Sequence, residues 1–120
     1  MPYVHEFGII ASIEEVKYDI GYAPEKYGCI TVDGDFIDEL CTTDFGEKID
    51  KLQTFAHSTD RPHNNLCYFG ITLIPPNSHE YFLKIVREVN EDYKSEELEN
   101  LIKKIDEAIK ENKWMIHFGV

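Results

Sequence analysis

The sequence predicts an α+β fold, with a mixed, mostly antiparallel sheet of about four or five strands and two long C-terminal helices packed on one face. Three observations lead to this prediction. Apolar segments typical of strands occur early in the chain, in its middle and at its end. Two long segments with helical spacing of apolar residues follow residue 77. Turn-forming residues separate these segments, and no internal repeat is present.

The length and composition are those of one folded domain. The chain has 120 residues, enough to bury roughly 60% or more of its unfolded surface around one core. Hydrophobic residues make up 42% of the chain and aromatic residues 12%, so apolar burial can offset the entropy lost on folding. We therefore expect residues 1–120 to form a single α+β domain.

The cysteines and the apolar segments indicate a cytoplasmic protein. Cys29, Cys41 and Cys67 are an odd number of thiols without a C-x-x-C pair, which suits a reducing compartment. The first ten residues lack the basic start and apolar run of a signal peptide. No apolar segment approaches the ~20 residues needed to cross a bilayer, so no membrane association is expected.

The first elements predicted are a strand and a short helix. Residues 3–11 carry apolar side chains in a pattern that indicates a strand. Ser12 and Glu15 have the spacing of a capping box, in which each side chain bonds the backbone of the other. This spacing predicts a short helix that ends by Gly21.

A β-hairpin is predicted next. Residues 29–32 are apolar or β-branched, as in a strand. The dipeptide Asp33-Gly34 tolerates positive φ at both central positions of a tight turn, and residues 36–40 would form the returning strand.

The middle of the chain is predicted to contain a helix and the central strand. Asp44 and Glu47 repeat the capping-box spacing, and the apolar residues that follow share one helical face. These face residues are Phe45, Ile49, Leu52 and Ala56. Residues 66–74 are almost continuously apolar and end at two prolines, which predicts a central strand buried on both faces.

The C-terminal part is predicted to form two helices and a last strand. Asn77 and Glu80 suggest the start of the first helix, and Ser95 the start of the second. Asn112 suits the end of the second helix. Residues 114–120 then alternate as in a final strand, which we expect to pair within the sheet.

The charge balance limits the classes of function. The chain has 12 Lys and Arg against 23 Asp and Glu, a net charge of −11. Nucleic-acid binding is disfavoured, because it normally requires a basic surface that releases counterions from phosphates. The same charge would attract a basic protein. The predicted partner-binding residues are carboxylates of the hairpin and of the helix after it: Asp33, Asp35, Asp38, Glu39, Asp44 and Glu47.

A small acidic cytoplasmic domain of this kind resembles, in general character, the immunity proteins of bacterial toxin systems. Those proteins neutralise a basic nuclease by covering its active site. The resemblance is one of size and charge, without a shared motif. It implies an inhibitor whose partner is a basic protein such as a toxin nuclease. The sequence does not indicate an oligomeric state.

A second hypothesis concerns the loop in "AHSTDRPHNNLCYFG", residues 56–70, where side chains able to do chemistry are crowded. His57, Asp60, Arg61 and His63 would serve a small hydrolase or a metal-dependent enzyme. The loop lacks the paired helical ligands of known metal motifs. Ser, Thr, Asp, Asn and Pro are also the residues of a tight, self-capped turn, and this interpretation is favoured. No catalytic residue, metal site or cofactor is assigned from the sequence.

Overall fold

The computed structural model describes residues 3–12, 24–66 and 70–119. Within them one antiparallel sheet of six strands has the order β2-β1-β6-β5-β3-β4. The strands are β1 (Val4–Ile9), β2 (Ile30–Asp33), β3 (Gln53–Ala56), β4 (Pro62–Asn64), β5 (Ile71–Ile74) and β6 (Met115–Phe118). The helices are α1 (Gly34–Leu40), α2 (Asp44–Ile49), α3 (His79–Tyr93) and α4 (Glu96–Glu111), with short 3₁₀ helices at Pro24–Tyr27 and Pro76–Ser78. The α+β prediction is confirmed, with six strands instead of four or five.

The sheet has apolar side chains on both faces, and α3 and α4 cover one of them. On the helix side, Phe7, Val32 and Met115 belong to the main core together with residues of all four helices. On the other face Leu73, Ile116 and Phe118 form a second, smaller cluster. Strand β6 is therefore buried on both faces, and it lies between β1 and β5 near the middle of the sheet.

The last helix and its boundaries follow the prediction. The Ser95 hydroxyl accepts a hydrogen bond from the backbone N–H of Leu98 at 3.3 Å, which satisfies one of the unpaired donors at the start of α4. Asn112 ends α4 in a left-handed conformation with φ of 53°. The predicted cap at Asn77 is wrong, because α3 begins at His79 and Asn77 lies in the preceding 3₁₀ helix.

The predicted hairpin over residues 29–40 is also wrong in its second half. Strand β2 forms, but residues 34–40 are helix α1. The Asp33 carboxylate accepts the N–H of Phe36 at 3.2 Å and so caps a helix instead of opening a turn. Gly34 is needed for space, since a Cβ there would lie 2.4 Å from the Tyr3 ring. The Asp-Gly pair thus serves helix capping and close packing.

The helix predicted from Asp44 is much shorter than expected. Its N-cap is Thr43, whose hydroxyl accepts the N–H of Phe45 at 3.2 Å. The helix ends at Ile49, and Ala56 belongs to strand β3, which pairs with β4 and β5. Backbone pairing with distant strands outweighs the local helical pattern here.

The remaining strand predictions agree with the fold where it is described. Strands β1 and β6 confirm the first and last strands, and β5 is one of the two central strands. Only residues 71–74 of the predicted 66–74 strand are assigned to β5, and residues 67–69 lie outside the described part. The short helix predicted after Ser12 also lies outside it, in residues 13–23.

Candidate functional site

The predicted partner-binding residues lie on α1, on α2 and at the end of β2, and we call residues 33–50 the acidic corner. All six predicted carboxylates are exposed: Asp33, Asp35, Asp38, Glu39, Asp44 and Glu47. The corner contains seven Asp and Glu residues and one Lys, a local charge of −6 within 18 residues of a chain whose total is −11. Helices α1 and α2 contact each other, so this charge is concentrated in space as well as in sequence.

Two of the predicted carboxylates have structural roles. Asp33 caps α1, and its backbone N–H donates to the carboxylate of Glu97 at 3.1 Å. Asp38 accepts a hydrogen bond from the Tyr3 hydroxyl at 2.9 Å. Among the described residues, Asp35 and Glu47 form no ion pair. Asp35 and Glu47 are therefore carboxylates that can be neutralised without removing an ion pair of the described residues.

The only lysine of the corner is engaged by an acid outside it. Lys48 Nζ lies 2.6 Å from a carboxylate oxygen of Glu88 on α3. This hydrogen bond raises the pKa of Lys48 and lowers the pKa of Glu88. Both side chains are about 40% exposed, at 40% and 39%, so water screens the pair and it adds little stability. The pair nevertheless holds the lysine toward α3.

The loop that the sequence singles out is the turn between β3 and β4. His57 has φ of 65°, and its ring packs on Gly70, where an added Cβ would meet the ring at 2.5 Å. The Ser58 hydroxyl donates to the Asp60 carboxylate, and the Arg61 N–H donates to the Ser58 carbonyl at 3.1 Å. These bonds are those of a self-capped turn, as the favoured interpretation expects.

The turn places its four candidate side chains on both sides of β3. The N–H of His57 donates to the carbonyl of Ile71 in β5, whereas His63 lies in β4 at the sheet edge. Asp60 and Arg61 are exposed between them. Within the described residues, no three His, Cys, Asp or Glu side chains are grouped so as to hold a metal ion. His63 instead lines an open groove of about 680 Å³ with Phe55, Trp114 and several polar residues.

A buried row of polar side chains crosses three strands and was not predicted. His5 Nδ1 lies 2.8 Å from His117 Nε2, and His117 Nδ1 lies 3.2 Å from Thr72 Oγ1. All three residues are 2% exposed or less. They lie on the adjacent strands β1, β6 and β5. Thr72 is directly opposite His117, whereas His5 is its diagonal neighbour, two residues before the Phe7 that faces His117. We call these three residues the histidine row.

Burial favours the neutral form of the histidines of the row. It lowers the pKa of His5, an effect that the charge of Asp38 partly opposes. Burial first, and then the neighbouring His5, lower the pKa of His117 well below its ordinary value. A neutral imidazole has one donor and one acceptor nitrogen, so the row can form a continuous chain of hydrogen bonds. His79, also fully buried, bonds the Lys113 carbonyl through Nε2 at 2.7 Å, and burial lowers its pKa.

Comparison with known proteins does not identify the chain. No protein family, no characterised protein and no solved structure matches it. Among the described residues, no helix is long and apolar enough to cross a membrane.

Proposed function

We propose that this protein is a small acidic binding protein that acts in the cytoplasm and neutralises a basic protein partner. The observation that carries this proposal is the acidic corner, where exposed carboxylates outnumber basic residues seven to one. The helices beside it are more balanced, since lysines pair with Glu107, Asp106 and Glu111 along and just after α4. The uneven charge distribution favours one side of the molecule as the surface that meets the partner.

The chemistry of the corner favours a partner that itself binds phosphate. A row of carboxylates offers the negative charge that a basic nuclease surface would otherwise find in nucleic acid. Such an inhibitor associates fast because the opposite fields steer the encounter, and its affinity falls as salt screens the charges. The function that fits best is that of an immunity-type inhibitor, with a bacterial toxin nuclease as the basic partner.

The proposal is tested by capture of the partner at two salt concentrations. The immobilised protein is exposed to extracts and secreted proteins of the source and its neighbours, and bound proteins are identified by mass spectrometry. We expect a stoichiometric basic protein that elutes at raised salt. In the variant Asp35→Asn/Glu47→Gln, association with that protein at low salt should slow by about threefold or more.

A matched control distinguishes the acidic corner from total charge. The variant Glu80→Gln/Glu91→Gln removes two charges from exposed positions of α3 that, like Asp35 and Glu47, form no ion pair among the described residues. It should associate at nearly the rate of the parent protein. Equal slowing of both variants would mean that net charge alone drives the encounter, and slowing of the control alone would move the interface to α3.

The alternative function, a small hydrolase or metal-dependent enzyme, would use His57, Asp60, Arg61 and His63. The described turn accounts for the Ser58, Asp60 and Arg61 positions through hydrogen bonds within the turn. His57 and His63 lie on opposite sides of β3. We therefore place the binding proposal first.

A further inference from the structure

A cavity lies inside the main core, between β1 and the four helices. Its volume is about 180 Å³. Phe7 of β1, Phe82 of α3 and Leu98 and Leu101 of α4 form part of its wall, and each is at most 2% exposed. Leu40 of α1 and Ile49 of α2 line the side toward the acidic corner. We call this space the core cavity.

The core cavity is much larger than a single water molecule, a size that few voids in protein interiors reach. Protein interiors are packed as densely as organic crystals, and voids larger than one water molecule are few. A dry apolar cavity of about 150 Å³ in another protein is large enough to bind benzene. The core cavity would hold a flat molecule of roughly nine non-hydrogen atoms, the size of a small bicyclic aromatic.

Water is a poor occupant of this space. A buried water needs two to four polar partners, and the wall of the core cavity is mostly Phe, Leu and Ile. Polar groups are few: His5 lies in the wall, and Asp38, Cys41 and Asn65 are among the lining residues that are exposed or half-buried. An apolar body with its polar group toward these residues matches this arrangement.

The charge at the opening selects against anions. Asp38 is exposed and belongs to the acidic corner. Burial, followed by the charges of Asp38 and Asp50, raises the pKa of the Cys41 thiol, which keeps it protonated. No Lys or Arg is among the described residues that line the core cavity. A carboxylate ligand would therefore meet a negative charge without a compensating cation.

We propose that the core cavity is a binding site for a small neutral aromatic molecule, of which indole is a suitable representative. The site lies beneath α1 and α2. Its apolar wall would bind a small molecule, whereas the proposed partner surface would bind a protein through exposed carboxylates. It needs no contribution from the partner protein.

The first experiment is a titration with indole followed by NMR of carbon-13-labelled methyl groups. We expect saturable, one-to-one binding, with the largest shifts at Leu40, Ile49, Leu98 and Leu101 because the aromatic ring would contact them. Benzoate, of similar size but negative, should bind at least about tenfold more weakly. Unsaturable shifts, shifts centred elsewhere, or equal affinity for benzoate would overturn the proposal.

Variants that fill the core cavity supply a second test. Leu98→Phe and Leu101→Phe each place a larger side chain in the empty space of the core cavity. Each should therefore raise the Tm and abolish indole binding. Leu83→Phe adds the same volume on α3 outside the cavity lining and should bind indole as the parent protein does. A lower Tm with indole binding retained in both filling variants would show that the ligand does not occupy this space.

Discussion

The protein contains two pairs of histidines that differ in sequence separation, exposure and contact with each other. His57 and His63 lie close together in the sequence, are exposed, and flank a turn that bonds to itself. His5 and His117 are 112 residues apart, fully or almost fully buried, and 2.8 Å from each other through their ring nitrogens. The first pair is near in the sequence but separated by β3, whereas the second pair lies diagonally on the adjacent strands β1 and β6 and is in contact.

This difference teaches where to look for coupled side chains in an antiparallel sheet. Directly opposite residues of neighbouring strands are about 5 Å apart, and diagonal neighbours on the same face are about 7–8 Å apart, within reach of large side chains, whatever their separation along the chain. A crowded turn, by contrast, often uses its polar groups to satisfy its own backbone. The following predictions test whether the histidine row stabilises the fold and the turn does not.

The largest effect is expected from His117→Ala. The substitution empties a fully buried ring position beside Phe7 and removes one hydrogen-bond partner each from His5 and Thr72. The free energy of unfolding should fall by about 3–5 kcal/mol, which urea denaturation followed by Trp114 fluorescence would measure. His117→Phe fills the same space with an aromatic ring, so its free energy of unfolding should fall by less. A loss below about 1 kcal/mol for the alanine variant would show that the row contributes little.

An intermediate effect is expected from pH. Burial lowers the pKa values of His5, His79 and His117 in the folded protein, so they take up protons less readily there than in the unfolded chain, where histidine titrates near about pH 6.5. The unfolded state then binds more protons, and stability falls as pH decreases. Between pH 7 and pH 6, each of these histidines should lower the free energy of unfolding by at most about 0.7 kcal/mol.

The pH dependence can be assigned to individual histidines by substitution. In His79→Phe and in His117→Phe, the free energy of unfolding should fall less between pH 7 and pH 6, by the contribution of the one histidine removed. Urea denaturation at the two pH values measures this difference. If neither variant changes the slope, then these buried histidines do not account for it and the pH prediction is wrong.

The smallest effect is expected in the turn. His63→Ala removes an exposed side chain from the edge strand β4 and should change the free energy of unfolding by no more than about 0.5 kcal/mol. His57→Gly exchanges the ring contact with Gly70 for a residue that adopts positive φ freely, so the two effects should largely cancel. A loss above about 2 kcal/mol in either variant would remove the contrast between the two histidine groups.

The parts of the fold that the sequence predicts are those governed by local bonds. Helix α4 begins where the Ser95 hydroxyl meets a backbone N–H three residues later, and it ends where Asn112 adopts positive φ. Both signals lie within a few residues of the boundary they mark. Strand β6 is recognisable for a related reason, since its residues form a short apolar segment between that helix end and the end of the sequence.

The parts that the sequence does not predict depend on distant contacts. Asp33-Gly34 suits a tight turn and a helix cap equally well in isolation, and the Tyr3 ring over Gly34 belongs to another strand end. Ala56 fits a helical face in sequence, but pairing with Thr72 places it in β3. The histidine row was missed for the same reason: nothing near His5 in the sequence indicates His117, although alternation did place both residues in strands.

The position of β6 in the sheet has a consequence for how the protein is made. Among the strands of the described residues, β2 and β1 are joined to β5, β3 and β4 only through β6. While the ribosome still covers residues 115–118, the nascent chain therefore holds two incomplete sheet fragments, and a two-stranded fragment such as β1–β2 is at best marginally stable in water. A contact between residues 112 positions apart also forms slowly, because the chain loses the entropy of loop closure before the contact stabilises it. The complete sheet can therefore form only after residue 118 has left the exit tunnel, and until then the edges of β1 and β5 that pair with β6 remain unpaired.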